Sequence, residues 1–319
     1  MTLLELSRSQ ILSFRRRVGS LDERLPPGAK SLRRAAWAGL QDSMPRAALL
    51  SIHARVHRAS SNTWEHPSLV QLWGPRFSGY VVAAQDLPVF SLGRLPEDAL
   101  RRARAHDTAS RLHAFLDGRR MPFGQAGHGM GVQPNSLRYA AQTGTVVLRW
   151  DGARQATIWT APAPDMDPQH ARIELARRFL HIFGPATAPA FAKWGGLHPT
   201  EARAAFQALA KTRTSVRTPI GDAWILTDDV AKFQSPSGPP APARLLPAAI
   251  RTTCCGAPIE SSWYPKSSGR PPYGPLVSGQ ARCPRTNSQS NPGAAFPPPN
   301  KKWSRPRTCH YLCPASMVR

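Results

Sequence analysis

The sequence predicts a mainly α protein with small β hairpins, an α+β chain in which helices give way to short strands three times before a long basic tail. Three observations predict it. Helical segments with one apolar face end repeatedly at Gly or Pro and are followed by short runs rich in Val, Ile, Trp and Thr. All five cysteines (Cys254, Cys255, Cys283, Cys309, Cys313) lie after Pro247, and none before it. The 73 residues from Pro247 onward carry ten Lys/Arg and one acid, Glu260, among abundant Pro, Ser and Gly. Few apolar groups and a high net charge do not offset the entropy of ordering a chain. The expected division is therefore three units, 1–95, 96–165 and 166–230, and a disordered linker and tail, 231–319.

The elements follow in order. Ser7 to Gln10 has the spacing of a capping box, and Leu6, Ile11, Phe14 and Val18 then line one helical face. A second helix is expected over about 31–40 and a third over about 45–56, with Pro45 in its first turn. Residues 66–73 read as a short helix, 77–83 as a strand, and Leu87-Pro88 as the next helix start. Pro96 opens a long helix ending near Asp117-Gly118, and the Gly-rich segment 119–131 is expected to be a loop. A short helix from Pro134 stops at Gly144. Runs 145–150 and 155–160 then flank Asp151-Gly152, a hairpin signal.

The last unit is the clearest. Ile173, Leu175, Ala176, Phe179 and Leu180 give an apolar face to a helix over 168–183, which Gly184-Pro185 ends. Thr187 caps a helix through Trp194, Gly195-Gly196 makes a turn, and Pro199 begins another helix. Two short helices about a Gly turn follow the helix-turn-helix plan. A hairpin over 216–227, turning at Ile220-Gly221-Asp222, completes a helix-then-wing unit. The three units repeat an architecture and show only slight sequence similarity to one another.

Residues 1–246 carry 32 Lys/Arg and 18 Asp/Glu, a surplus of 14 positive charges. Such a surplus fits nucleic acid, an anionic membrane or a ribosome. No apolar run approaches the length of a spanning helix, and the N-terminus, with Glu5 and a helical pattern, does not resemble an export signal. A cytoplasmic, nucleoid-associated monomer is expected. His106, His113, His128, His170, His181 and His198 are scattered without metal-ligand spacing, so neither a metal nor an organic cofactor is expected.

Gly39-Leu40-Gln41-Asp42-Ser43, then Trp73-Gly74-Pro75-Arg76 leading to Tyr80, then Leu87-Pro88, together resemble a known family. It is the winged-helix DNA-binding family that includes the bacterial crosslink-unhooking, azinomycin-resistance type DNA glycosylases. Arg149 to Gly152, Glu174 to Pro185 and Ala190 to Trp194 extend the resemblance over roughly 1–247. It implies tandem winged-helix units around a DNA-sized channel, and double-stranded, damaged DNA as partner. The family pattern places a Gln-x-Gln or Gln-x-Asp pair at 41 and 43 and a His at 80; this chain has Gln41 but Ser43 and Tyr80.

The resemblance implies release of N-alkylated purines, or crosslink unhooking, by water attack at C1′. An alkylated purine is already cationic and leaves readily, so a side chain that positions water suffices. Gln41 and Ser43 are the candidates. Two further readings stay open: a non-catalytic DNA-binding protein or regulator on the same scaffold, and an inactive, frameshifted family member. Gln41-Asp42-Ser43 equally suits a plain helix cap. Arg76, Ser78 and Tyr80 lie where the family brings a wing strand to DNA; Tyr80 reads either as a stacking or phosphate-donating group or as a strand aromatic. Arg46, Arg55, Arg138, Arg149, Lys193, Arg203 and Arg217 are candidate phosphate contacts, each alternatively a solvated charge. Read one nucleotide out of frame with free third bases, the stretches starting at Ala249 and Arg270 become strand-like. They then resemble the β-rich domain that family members carry after a segment like Pro242 to Pro247.

Overall fold

A computed structural model describes residues 3–236 and 242–247. Residues 231–234, expected to belong to a disordered linker, are helical, while the disordered-tail and frameshift expectations beyond residue 247 lie outside the described residues.

In chain order the elements are β1 (Leu4–Glu5), α1 (Arg8–Val18), α2 (Ala29–Ala35), β2 (Leu40–Gln41), α3 (Ala47–Arg55), β3 (Leu69–Trp73), β4 (Gly79–Ala83), α4 (Leu87–Ser91), α5 (Ala99–Leu116), β5 (Met121–Pro122), α6 (Phe123–Gly129), a 3-10 segment (Pro134–Thr143), β6 (Val146–Arg149), β7 (Thr157–Thr160), α7 (Pro168–Phe183), α8 (Ala188–Gly195), α9 (Pro199–Ala208), β8 (Arg213–Thr218), β9 (Gly221–Leu226) and α10 (Val230–Gln234). The result is the expected α+β fold with small sheets. Six strands form one sheet in the order β2-β4-β3-β6-β7-β5, and three form another in the order β1-β8-β9. The first sheet joins strands from the first and second expected units.

The N-terminal segment reaches across the chain. Ser7 and Gln10 make the capping box, with the Ser7 N–H donating to Gln10 Oε1 at 2.8 Å. The helix it starts shares a core cluster with the last hairpin and with α10, where Phe14 stacks on Phe233 with ring centroids 3.7 Å apart. β1 also pairs in parallel with β8, Leu4 opposite Val216.

Two further sequence expectations are corrected. Residues 69–73, expected to be helical, form a strand paired with β4 along its length and with β6 at Gln71. A short apolar run carries no decisive periodicity, and pairing on both sides settles it. The segment 119–131, expected to be a loop, holds β5 and α6. Its glycines allow close packing rather than flexibility: a Cβ on Gly127 would lie 2.6 Å from Pro134 Cα, and one on Gly129 would lie 2.3 Å from the Phe115 ring.

The largest core cluster gathers Leu72, Tyr80, Val82 and Phe90 against Phe179, Phe191, Trp194 and Phe206 of α7, α8 and α9. Each fully buried large apolar side chain contributes about 1.5–3 kcal/mol before ordering costs. Within it the Phe179 and Trp194 ring centroids are 5.2 Å apart. At one edge Asp86, 2% exposed, receives Arg33 at 2.8 Å and Arg178 at 2.9 Å. Glu174 also binds Arg178, so α2, the start of α4 and α7 share one ion network.

Candidate nucleic-acid site

The Gln41 region is built from the backbone outward. Gln41 ends β2 opposite Tyr80 of β4, and the Asp42 N–H donates to the Gly79 carbonyl at 2.8 Å. Alternation along this extended stretch turns Asp42 inward and leaves its neighbours outside. The Asp42 carboxylate accepts the Ala48 N–H at 2.9 Å, capping α3, and the Gln71 Nε2 at 2.5 Å. Burial pushes the Asp42 carboxyl up from its ordinary range, and these hydrogen bonds oppose that shift without cancelling it. The capping role therefore belongs to Asp42, which releases its neighbours for other work.

Those neighbours meet. Gln41 Nε2 donates to Ser43 Oγ at 3.1 Å, and Arg76 Nη2 reaches Gln41 Oε1 at 3.5 Å. Gln41 is half-buried, while Ser43 and Arg76 are exposed. Arg76 and Phe77 both have a left-handed φ of 55° in the turn between β3 and β4. Gly196, in the turn between α8 and α9, lies so close that a Cβ there would sit 3.2 Å from the Arg76 backbone nitrogen. The α8–α9 turn and the β3–β4 turn therefore abut.

Other candidate residues are placed variously. Arg46 is exposed at the start of α3 with φ 59°. Ser78 is half-buried, and its carbonyl accepts the Gly74 N–H at 2.8 Å. Arg138 donates to the Phe77 carbonyl at 3.3 Å, and burial lowers its pKa. Arg149 lies 4.7 Å over the Trp64 ring and 4.0 Å from Glu65. Lys193 and Arg203 are exposed on α8 and α9, and exposed Arg217 pairs with Asp222. Hydrogen bonds thus join Gln41, Ser43 and Arg76, with Arg138 attached through Phe77.

Burial removes Arg55 from the candidate contacts and decides between the two readings of Tyr80. Arg55 is 6% exposed and donates to the Ser51 carbonyl at 3.0 Å, and burial alone takes its pKa down to about 10. It anchors its own helix and does not present a cation to solvent. Tyr80 is 3% exposed, with its ring fitted against Gly39 and Gly74, where added Cβ atoms would lie 2.9 Å away. It is a core aromatic, not a stacking platform.

Sequence reasoning missed Arg94, Arg101, Arg104 and Tyr139, which border a cavity beside Phe77. Arg101 and Arg104 sit three apart at the start of α5, a visible one-turn pair. No pattern distinguished Arg94. Among the described residues, no group of three or more His, Cys, Asp or Glu is placed to hold a metal, and no helix is long and apolar enough to cross a membrane.

A family model described as "DNA glycosylase AlkZ-like" matches residues 34–249, which include Gln41, Ser43, Arg76 and the α8–α9 turn. The chain belongs to the AlkZ-like DNA glycosylase family. Among solved structures it is similar to the Streptomyces sahachiroi DNA glycosylase AlkZ, with 17% identity, a TM-score of 0.61 and 76% of each chain covered. At that identity the likeness concerns the fold. No curated protein matches the chain. The AlkZ-like match begins inside α2 and so leaves out β1 and α1, the segment that braces the last hairpin.

Proposed function

We propose that this protein binds damaged double-stranded DNA and releases an N-alkylated purine, with Gln41 and Ser43 positioning the attacking water. The observation that carries this reading is the Gln41–Ser43 hydrogen bond on an outward-facing edge, fixed from behind by buried Asp42 and reached by Arg76. Ser43 Oγ, accepting from Gln41 Nε2, keeps its own proton free to donate. The second lone pair of Gln41 Oε1 accepts a water hydrogen. The water oxygen forms a bond to C1′ as the C1′–N bond breaks. The bonding electrons neutralise the cationic base, and the water's surplus proton passes to solvent. Arg76 orients the amide and places a cation beside the DNA strand.

The chain acts as a monomer at the nucleoid. Its three helix-then-hairpin segments serve as winged-helix units facing DNA, with Arg46, Ser78, Arg138, Arg149, Lys193, Arg203 and Arg217 as contacts to the backbone. The test is release of 7-methylguanine from alkylated duplex DNA, comparing the natural chain with Gln41→Ala after both are shown to bind DNA. Release by the natural chain and at least a tenfold loss in the variant are expected. No release despite tight binding would instead favour a non-catalytic DNA-binding protein. Ser43, shorter than the family's Gln or Asp at this place, supports that second reading.

A further inference from the structure

A cavity of about 310 Å³ adjoins the Gln41 site, sharing Phe77 and Gly196 with the two abutting turns. Arg94, Arg101, Arg104, Tyr139 and His198 also line it. Its deepest cation is fully enclosed. Arg94 is 1% exposed, and no carboxylate lies within ion-pair distance of it among the described residues. Its Nε donates to the Gly195 carbonyl at 2.9 Å and its Nη1 to the Trp73 carbonyl at 3.0 Å. Its Nη2 is buried with no hydrogen-bond partner.

A buried guanidinium with an idle donor is costly unless an anion answers it. Burial depresses the pKa of Arg94 to about 9, which an incoming anion would reverse. Glu201 borders the same cavity, but its oxygens are engaged by the Glu97 and His198 N–H groups at 2.9 and 3.0 Å. Arg101 and Arg104 are exposed at the positive end of α5, and the Arg104 guanidinium lies 5.1 Å from the Tyr139 ring centroid. Phe77, whose ring covers the Arg94 guanidinium at 5.0 Å, holds the left-handed φ that bulky residues rarely adopt. Strained backbone of this kind concentrates at ligand clamps. Three arginines, an exposed tyrosine and a single engaged carboxylate describe a seat for a phosphate with its sugar.

We infer that this cavity is an anion subsite taking one backbone phosphate of the DNA strand held at Gln41, with Arg94 as inner donor and Arg101 and Arg104 as outer cations. The assignment rests on the DNA reading above. Arg94 is tied to the strand that leads into Arg76 and to the α8–α9 turn behind Arg76, so a phosphate held there is in fixed register with Gln41. The strand would thus be gripped on one side of the nucleotide that Gln41 addresses.

The test uses the full chain, a labelled duplex and the double variant Arg101→Gln/Arg104→Gln, whose exposed positions leave the fold intact. Loss of one phosphate contact lowers the slope of log affinity against log salt by about 0.9. That decrease, with roughly tenfold weaker binding, is expected. A methylphosphonate scan should also find one phosphate whose neutralisation weakens the natural chain and leaves the double variant unaffected. An unchanged slope and scan profile in a variant that still binds DNA would overturn the subsite alone. Failure of the natural chain to bind DNA at any salt would overturn the DNA reading and the subsite with it. Thermal stabilisation by inorganic phosphate, relative to chloride at equal ionic strength, with an unchanged DNA slope would reassign the cavity to free phosphate and overturn the DNA source.

Discussion

Gln71 holds Asp42 and Trp150 with one side chain: its Nε2 donates to the Asp42 carboxylate at 2.5 Å while its Oε1 accepts the Trp150 N–H at 2.6 Å. The turn that presents Gln41 and Ser43 is thereby fastened to the β6–β7 hairpin. Gly152 of that hairpin approaches Pro45 so closely that a Cβ would sit 2.7 Å away. Replacing Gln71 with Leu keeps the volume but leaves one oxygen of the buried Asp42 carboxylate and the Trp150 N–H without these partners. The Ala48 N–H still holds the other oxygen. The expected loss is about 3 kcal/mol, read from the urea midpoint. A loss below about 1 kcal/mol would show that the Asp42 cap holds without Gln71.

Asp86 sets an acid limit on stability. Burial favours its protonated form, but hydrogen bonds from Arg33 and Arg178 outweigh burial and hold its pKa below the ordinary carboxylate value. The folded state therefore binds fewer protons than the unfolded chain as pH falls below about 4. The stabilisation is fully present above that unfolded pKa and is lost as pH falls through the folded one. Asp86→Asn leaves Arg178 buried with part of its pairing gone, at a cost of about 3–5 kcal/mol at neutral pH. Denaturant midpoints measured from pH 7 to pH 3 should fall more shallowly for the variant than for the natural chain. Parallel curves would remove Asp86 as the source.

Gly127→Ala tests the corrected segment. With a Cβ 2.6 Å from Pro134 Cα, backbone must give way. Overpacking of this kind costs about 1–3 kcal/mol. A neutral result in thermal denaturation would return 119–131 to the status of a tolerant loop.

Much of the fold was legible because caps and stops are local chemistry. Ser7 with Gln10, Thr187, the glycines at 144 and 196, and the face of Phe179 and Leu180 each mark their element within a few residues. The strand over 69–73 was not legible, since its identity rests on partners at Val82 and Leu148, far along the chain. The glycines of 119–131 looked like flexibility because the neighbours that require them, Pro134 and Phe115, are also set by tertiary contact. Gln41 and Ser43 were singled out by the family resemblance alone, and their hydrogen bond to each other was not legible in advance. The enclosure of Arg55 and Tyr80 was not legible for the converse reason, since an arginine or tyrosine on an element does not announce which side it faces. Arg94 looked like any other arginine until the fold surrounded it.

Arg55 and Arg76 separate the two fates of an arginine in this chain. Arg76 is exposed beside Gln41, so Arg76→Gln should leave the urea midpoint within about 0.5 kcal/mol. It should weaken duplex binding and reduce the salt slope by about one contact. Arg55 is enclosed, with its guanidinium donating to Ser51. Arg55→Gln should reverse the pattern, costing about 1–3 kcal/mol of stability while DNA affinity per folded molecule and its salt slope stay unchanged. Paired titrations at several salt concentrations, each corrected for the folded fraction, decide it. A reduced salt slope in the Arg55 variant would mean that its guanidinium leaves the interior when DNA arrives, and the assignment of Arg55 to the helix interior would have to be withdrawn.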